Sequence, residues 1–160
     1  MRVFATFFAS LFLISGPAYA QAEVLSTITA DQLVSLLAQD NRDPKIEEDG
    51  FISYLLQGEG WNPGSRVYAR PVLCGEEANA TCQGVRLLIW INKEALPKAK
   101  LATINEFNGK YILAKAYLTD EGGVRFGMDI LIEGGVTENN IVANLQKYEL
   151  ILAVLFNDLS

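Results

Sequence analysis

Two cysteines, Cys74 and Cys82, and two asparagines on either side of Phe107, Asn105 and Asn108, are the residues whose type and spacing bear most on chemistry. The cysteines stand as C-x7-C, not the C-x-x-C of a thiol oxidoreductase. The residues between them are polar and acidic, as in a surface turn. In an oxidising compartment such a pair reads first as a disulfide, with redox or metal work as the other readings. The sequence has no histidine, which removes the commonest general base and metal ligand. It contains no G-x-S-x-G, Walker loop or G-x-G-x-x-G. The acidic runs Asp40-Asn41-Arg42-Asp43 and Glu47-Glu48-Asp49-Gly50 lack the alternating ligand order of a calcium loop and read as solvated loops. Glu106 and Asp129 are a carboxylate pair suited in principle to acid–base work, but nothing in the sequence places them together. We expect no enzyme, no metal and no cofactor.

The N-terminus supplies context for the cysteines. Arg2 precedes an apolar run over residues 3–14, Gly16 and Pro17 follow, and Ala18-Tyr19-Ala20 forms an A-x-A site. This is the pattern of a cleavable signal peptide over residues 1–20, leaving one domain over 21–160. The rival reading, an uncleaved anchor, needs a span of roughly 20 apolar residues. The expected location is periplasmic or secreted, with no stable membrane insertion after cleavage. Without Arg2 the chain carries 12 basic and 19 acidic side chains, a net charge of −7. That balance repels phosphate backbones, so nucleic acid is not an expected partner.

The elements that must position these residues can be read from periodicity. Thr29 and Gln32 form a capping box before Leu33, Leu36 and Leu37, which predicts a helix over 30–39. A short strand is expected at 45–49 and a firmer, apolar one at 51–57, and a glycine-rich loop holding Trp61 follows. Strands over 66–73 and 85–92 form a hairpin with the cysteines at its tip, Pro71 marking an edge or bulge. In the second, Val85, Leu87, Ile89 and Ile91 share one face and Leu88 and Trp90 the other. A strand apolar on both faces is usually covered twice, here by the chain itself or by a partner.

Leu101, Ile104 and Phe107 predict a short helix over 98–107 stopped by Asn108-Gly109. A strand over 112–118 follows, with Ala114 and Ala116 small enough for close approach of a helix or partner. The alternation of Val124, Phe126, Met128, Ile130 and Ile132 predicts the return strand, with Asp129 on its opposite face. Thr137 caps a long final helix whose apolar stripe runs from Ile141 to Leu159. The fold class is therefore α+β: a curved antiparallel sheet of about five strands with an N-terminal, a short middle and a long C-terminal helix. At the asparagines two readings stand. In the first, Asn105 bonds backbone where helix meets strand and Asn108 ends the helix. In the second, both form the polar floor of a groove.

Taken in order, several stretches resemble the YbjN-type domain family, bacterial proteins labelled sensory transduction regulators. The matching stretches are Thr29 to Leu33, the cysteine hairpin, Ile104-Asn105-Glu106-Phe107-Asn108, Ala116-Tyr117-Leu118, Met128-Asp129-Ile130 and Gly134 to Ile141. The resemblance runs from about residue 27 to the C-terminus. It implies a fold like that of type III secretion chaperones, frequently dimeric; the leader departs from cytoplasmic members. Two functions follow. One is a chaperone-like or regulatory binding module that uses Leu88, Trp90 and Tyr117 to dimerise or hold a protein partner, by strand addition among other ways. The other is a small-ligand sensor or unrecognised enzyme with a pocket of Asn105, Asn108, Lys115 and Asp129.

Overall fold

The computed structural model describes residues 23–57, 61, 64–76 and 80–160; the leader and Asn79 of an N-x-T sequon lie outside them. In chain order the elements are β1 (Val24–Leu25), α1 (Ala30–Gln39), β2 (Lys45–Ile46), β3 (Ile52–Leu55), β4 (Arg66–Cys74) and β5 (Cys82–Ile91). They continue with α2 (Leu101–Lys110), β6 (Lys115–Leu118), β7 (Val124–Leu131), β8 (Val136–Thr137) and α3 (Glu138–Leu159). The main sheet has six strands in the order β2-β3-β4-β5-β7-β6, and every pairing is antiparallel. The two-residue β2 falls within the strand expected at 45–49. A separate two-stranded ribbon joins β1 to β8. The fold is thus α+β, as the periodicities imply.

Alternation divides the sheet into two unlike faces. Ile52, Tyr54, Val67, Ala69, Val85, Leu87, Ile89, Val124, Phe126, Met128 and Ile130 are buried. They share one face by register and meet the apolar stripes of the three helices. Phe107 from α2 and Tyr148 from α3 both pack on Phe126, with ring centroids 6.0 and 4.9 Å away. Tyr148 also donates from its hydroxyl to the Phe126 carbonyl at 3.2 Å, satisfying a group that would be costly to bury alone.

The capping predictions for α1 and α3 hold. The Gln32 N–H donates to Thr29 Oγ1 at 3.2 Å, and the Thr29 N–H donates to Gln32 Oε1 at 2.9 Å. Thr137 Oγ1 accepts from the Asn140 N–H at 3.2 Å. Cys74 and Cys82 are disulfide-bonded and lie directly opposite each other across the β4–β5 ladder. Trp61 packs edge-on against Phe156 of α3, with centroids 5.3 Å apart. The β1–β8 join depends on Gly135: at φ +96° it occupies a region L side chains avoid, and a Cβ there would fall 2.6 Å from Val24 Cγ1.

The middle of the chain departs from expectation. Helix α2 begins at Leu101 and continues through Asn108 and Gly109 to Lys110. Gly109 takes no left-handed conformation, and Tyr111 caps the helix by donating its N–H to the Phe107 carbonyl at 2.9 Å. The stop read at Asn108-Gly109 is overridden because Phe107 and Tyr111, one turn apart, stack at 4.8 Å and hold the last turn closed. The following strand is correspondingly short. Ala114 and Ala116 are buried as expected, whereas Ile112 and Leu113 lie in the connection and are exposed. Beyond its helix-covered face, β5 is not covered a second time by the described residues: Leu88 is half-buried and Trp90 exposed.

Candidate functional site on the open sheet face

Register maps the uncovered face directly. One row across the strands holds Arg70 of β4, Arg86 of β5 and Asp129 of β7. The next holds Tyr68, Leu88, Gly127 and Lys115 of β6. A third holds Trp90, Arg125 and Tyr117. Three large side chains here are therefore turned to solvent or half so by strand geometry alone. Trp90 is 44% and Tyr117 59% exposed.

These side chains are organised. Phe51, Tyr68 and Trp90 form an edge-to-face triad with centroids 5.3 to 6.4 Å apart. The guanidinium of Arg70 lies over the Phe51 ring at 5.1 Å, and that of Arg125 over the Trp90 ring at 5.8 Å. Arg86 donates through Nε and Nη2 to the two oxygens of Asp129, at 2.7 and 2.8 Å. This two-point contact raises the Arg86 pKa above its ordinary value. On the rim, the Glu121 carboxyl is held below its ordinary value by its own backbone N–H, then by Thr119, with only a minor pull from Arg125. Leu88 lies across Gly127, where a Cβ would meet Leu88 Cδ2 at 2.9 Å and the Leu87 carbonyl at 3.1 Å. The result is a groove of about 830 Å³ with an apolar floor and charged walls. That volume falls in the range of ligand-sized clefts.

The residues singled out from the sequence divide between two places. Leu88, Tyr117, Lys115 and Asp129 line the groove, and Trp90 borders it. Asn105 and Asn108 do not line it. Asn105 is exposed on α2. Backbone bonding where helix meets strand, expected of Asn105, is made by Asn108. Its Nδ2 donates to the Ala116 carbonyl at 2.9 Å, and the Ala116 N–H donates to its Oδ1 at 2.8 Å. The reason is helical phase: Ile104 and Phe107 bury their side chains, and Asn108, next to Phe107, faces β6. The Asn108 amide thus stands beside edge strand β6 in the position of a neighbouring strand. Lys115 Nζ also donates to the Asn108 main-chain carbonyl, at 2.9 Å. Glu106 is exposed on α2, while the Asp129 carboxylate is held by Arg86.

Sequence reasoning named Trp90 but missed Phe51 and Tyr68 beside it, and it gave no role to Arg70, Arg86 or Arg125. Their signal was present in the odd–even pattern of β5, where Arg86, Leu88 and Trp90 alternate with the core residues. It also missed a buried charge cluster behind α1. Arg42 is fully buried, donates to Asp40 Oδ2 at 2.5 Å and pairs with Glu149 of α3. It also lies 5.3 Å from the centre of the Tyr54 ring. Burial pushes the Glu149 carboxyl above its ordinary range, and Arg42 works against that shift. Burial likewise opposes the Arg42 cation, but Glu149 and Asp40 outweigh it and hold its pKa high. Two carboxylates thus share one buried guanidinium. Burial drives the Tyr54 phenol far above its usual value, so it stays neutral.

Among the described residues no group of His, Cys, Asp and Glu is arranged to hold a metal ion. No described helix is long and apolar enough to cross a membrane. No curated protein sequence matches the chain. The sequence pattern of the YbjN family, described as "Putative bacterial sensory transduction regulator", matches residues 29–159. That match takes in every strand of the main sheet and the three described helices, so the chain belongs to the YbjN family.

Proposed function

We propose that this protein is a non-enzymatic, exported regulatory module that acts by binding another protein, or a second copy of itself, through the open face of its sheet. The observation that carries the reading is the exposure of Trp90 and Tyr117 beside half-buried Leu88, on a face the described helices leave uncovered. Contiguous exposed apolar surface of this kind marks interaction sites, and aromatic and arginine side chains are the usual anchors. The family's regulatory description and the disulfide support the reading. Binding by the face suits this sheet better than strand addition at β6, where the Asn108 amide already engages Ala116.

The test is Trp90→Asp in the mature protein. The variant keeps its far-UV circular dichroism and loses self-association in light scattering, or loses crosslinked capture of a defined envelope protein. A folded variant with unchanged association on both counts refutes the reading.

The groove itself favours a second reading, a small-ligand sensor using Lys115 and Asp129. A thermal-shift screen with metabolites and metals separates the two, since a ligand at a hundred times its dissociation constant adds about 2.7 kcal/mol. Silence across the screen sinks the sensor.

A further inference from the structure

Arg70 stands directly opposite Arg86, and Arg86 directly opposite Asp129. Like charges facing each other across a ladder repel. Asp129 neutralises only one of the two, because both its oxygens are taken by Arg86. Among the described residues no carboxylate lies within salt-bridge distance of Arg70 or of Arg125. Both guanidinium groups instead lie over aromatic rings, which orients them and leaves their N–H edges free for an acceptor. All this sits on a protein whose net charge is −6. The groove lining holds four cations, Arg70, Arg86, Lys115 and Arg125, against three carboxylates, Asp120, Glu121 and Asp129, a positive excess on an acidic chain.

We propose that the partner of this face is an extended acidic polypeptide segment, with carboxylates on Arg70 and Arg125 and apolar side chains over Leu88 and Gly127. The two arginines are two strands and four residues apart by register. At about 4.8 Å between strands and 3.3 Å per residue, their backbones are roughly 16 Å apart, the reach of about five extended residues. The Arg86–Asp129 contact shows the two-point geometry that a partner's carboxylate would repeat on Arg70. This inference rests on the docking reading above and adds the partner's chemistry.

The experiment uses fluorescein-labelled eight-residue peptides of alternating Glu–Leu and Gln–Leu, titrated with the mature protein at low and high salt and read by anisotropy. The expected result is at least tenfold tighter binding of the Glu–Leu peptide at low salt, a gap that closes as salt rises. Arg70→Gln and, separately, Arg125→Gln each weaken that peptide at least fivefold and leave Gln–Leu binding unchanged. Trp90→Asp weakens both peptides. Equal binding of the two peptides, or arginine variants that bind like wild type, overturns the acidic partner while leaving the docking face intact. No binding of Glu–Leu at millimolar concentration also overturns it, as does preference for anionic lipid vesicles over the peptide. If Trp90→Asp changes neither peptide's binding, the docking reading itself fails.

Discussion

Replacing Arg42 by methionine tests the buried cluster most directly. The change keeps much of the apolar stem and removes the charge. Glu149 then has no cation, with its side chain only 9% exposed, while Asp40 at 22% keeps some access to water. Removing one member of a buried pair costs about 3–5 kcal/mol, because the remaining charge is left uncompensated. For a domain of this size that lowers the melting temperature by roughly 10–20 °C. The pH dependence separates this cause from simple packing loss. Burial already raises the Glu149 carboxyl, and Arg42 is what opposes the rise. Without Arg42 the folded-state pKa climbs further above the unfolded value of about 4.3. A carboxyl raised on folding favours the folded state below its unfolded pKa, and that contribution is lost as pH rises through the folded pKa. The deficit of the variant relative to wild type is therefore full near neutral pH and shrinks on acidification. Urea unfolding of both proteins at pH 7.5 and pH 5 measures it. A deficit below about 1 kcal/mol at pH 7.5, or one of equal size at both pH values, refutes the account. Arg42→Met combined with Glu149→Leu recovers most of the loss, since a matched apolar pair is commonly as stable as the ionic one.

Asn108→Ala frees the N–H and carbonyl of Ala116 on edge strand β6, so the variant should associate with rising concentration in sedimentation velocity. Asn108→Asp, which retains only the acceptor, should fall between it and wild type, and monodisperse behaviour of both across the range contradicts an edge-guarding role. Reducing the Cys74–Cys82 disulfide, or replacing both cysteines by alanine, should cost roughly 2–3 kcal/mol from the entropy of so short a loop. Indistinguishable denaturation midpoints with and without reductant would contradict it.

Much of this architecture was legible because its signals are local. Thr29 and Gln32 announce α1 through a capping box, and the run from Val124 to Ile130 announces β7 through strict alternation. The region around Asn108 was not, since two local signals compete there. Asn108-Gly109 reads as a helix stop, and the stacking of Phe107 on Tyr111 carries the helix past it. Which asparagine meets the strand depends on where β6 lies against α2, and no local pattern contains that placement. For the open face, the alternation of β5 placed Leu88 and Trp90 away from the core. The confrontation of Arg70 with Arg86 needed the register of the β4–β5 ladder, which no one-strand pattern contains. The Arg42–Glu149 pair joins residues 107 positions apart, and an arginine in a short acidic loop looks like solvated surface until that partner arrives.

The ribbon between β1 and β8 orders events in time. Val24 pairs with Thr137 and Leu25 with Val136, and Ile28 exchanges backbone hydrogen bonds with Cys82. The earliest described residues therefore wait for the arrival of chain more than a hundred positions later. In a protein that emerges N-terminus first, whether from a ribosome or through a membrane pore, this strand stays open until nearly everything else has been delivered. Closing it is a long-range step, slow for the loop it must shut, so the earliest described residues are among the last to be locked into the fold.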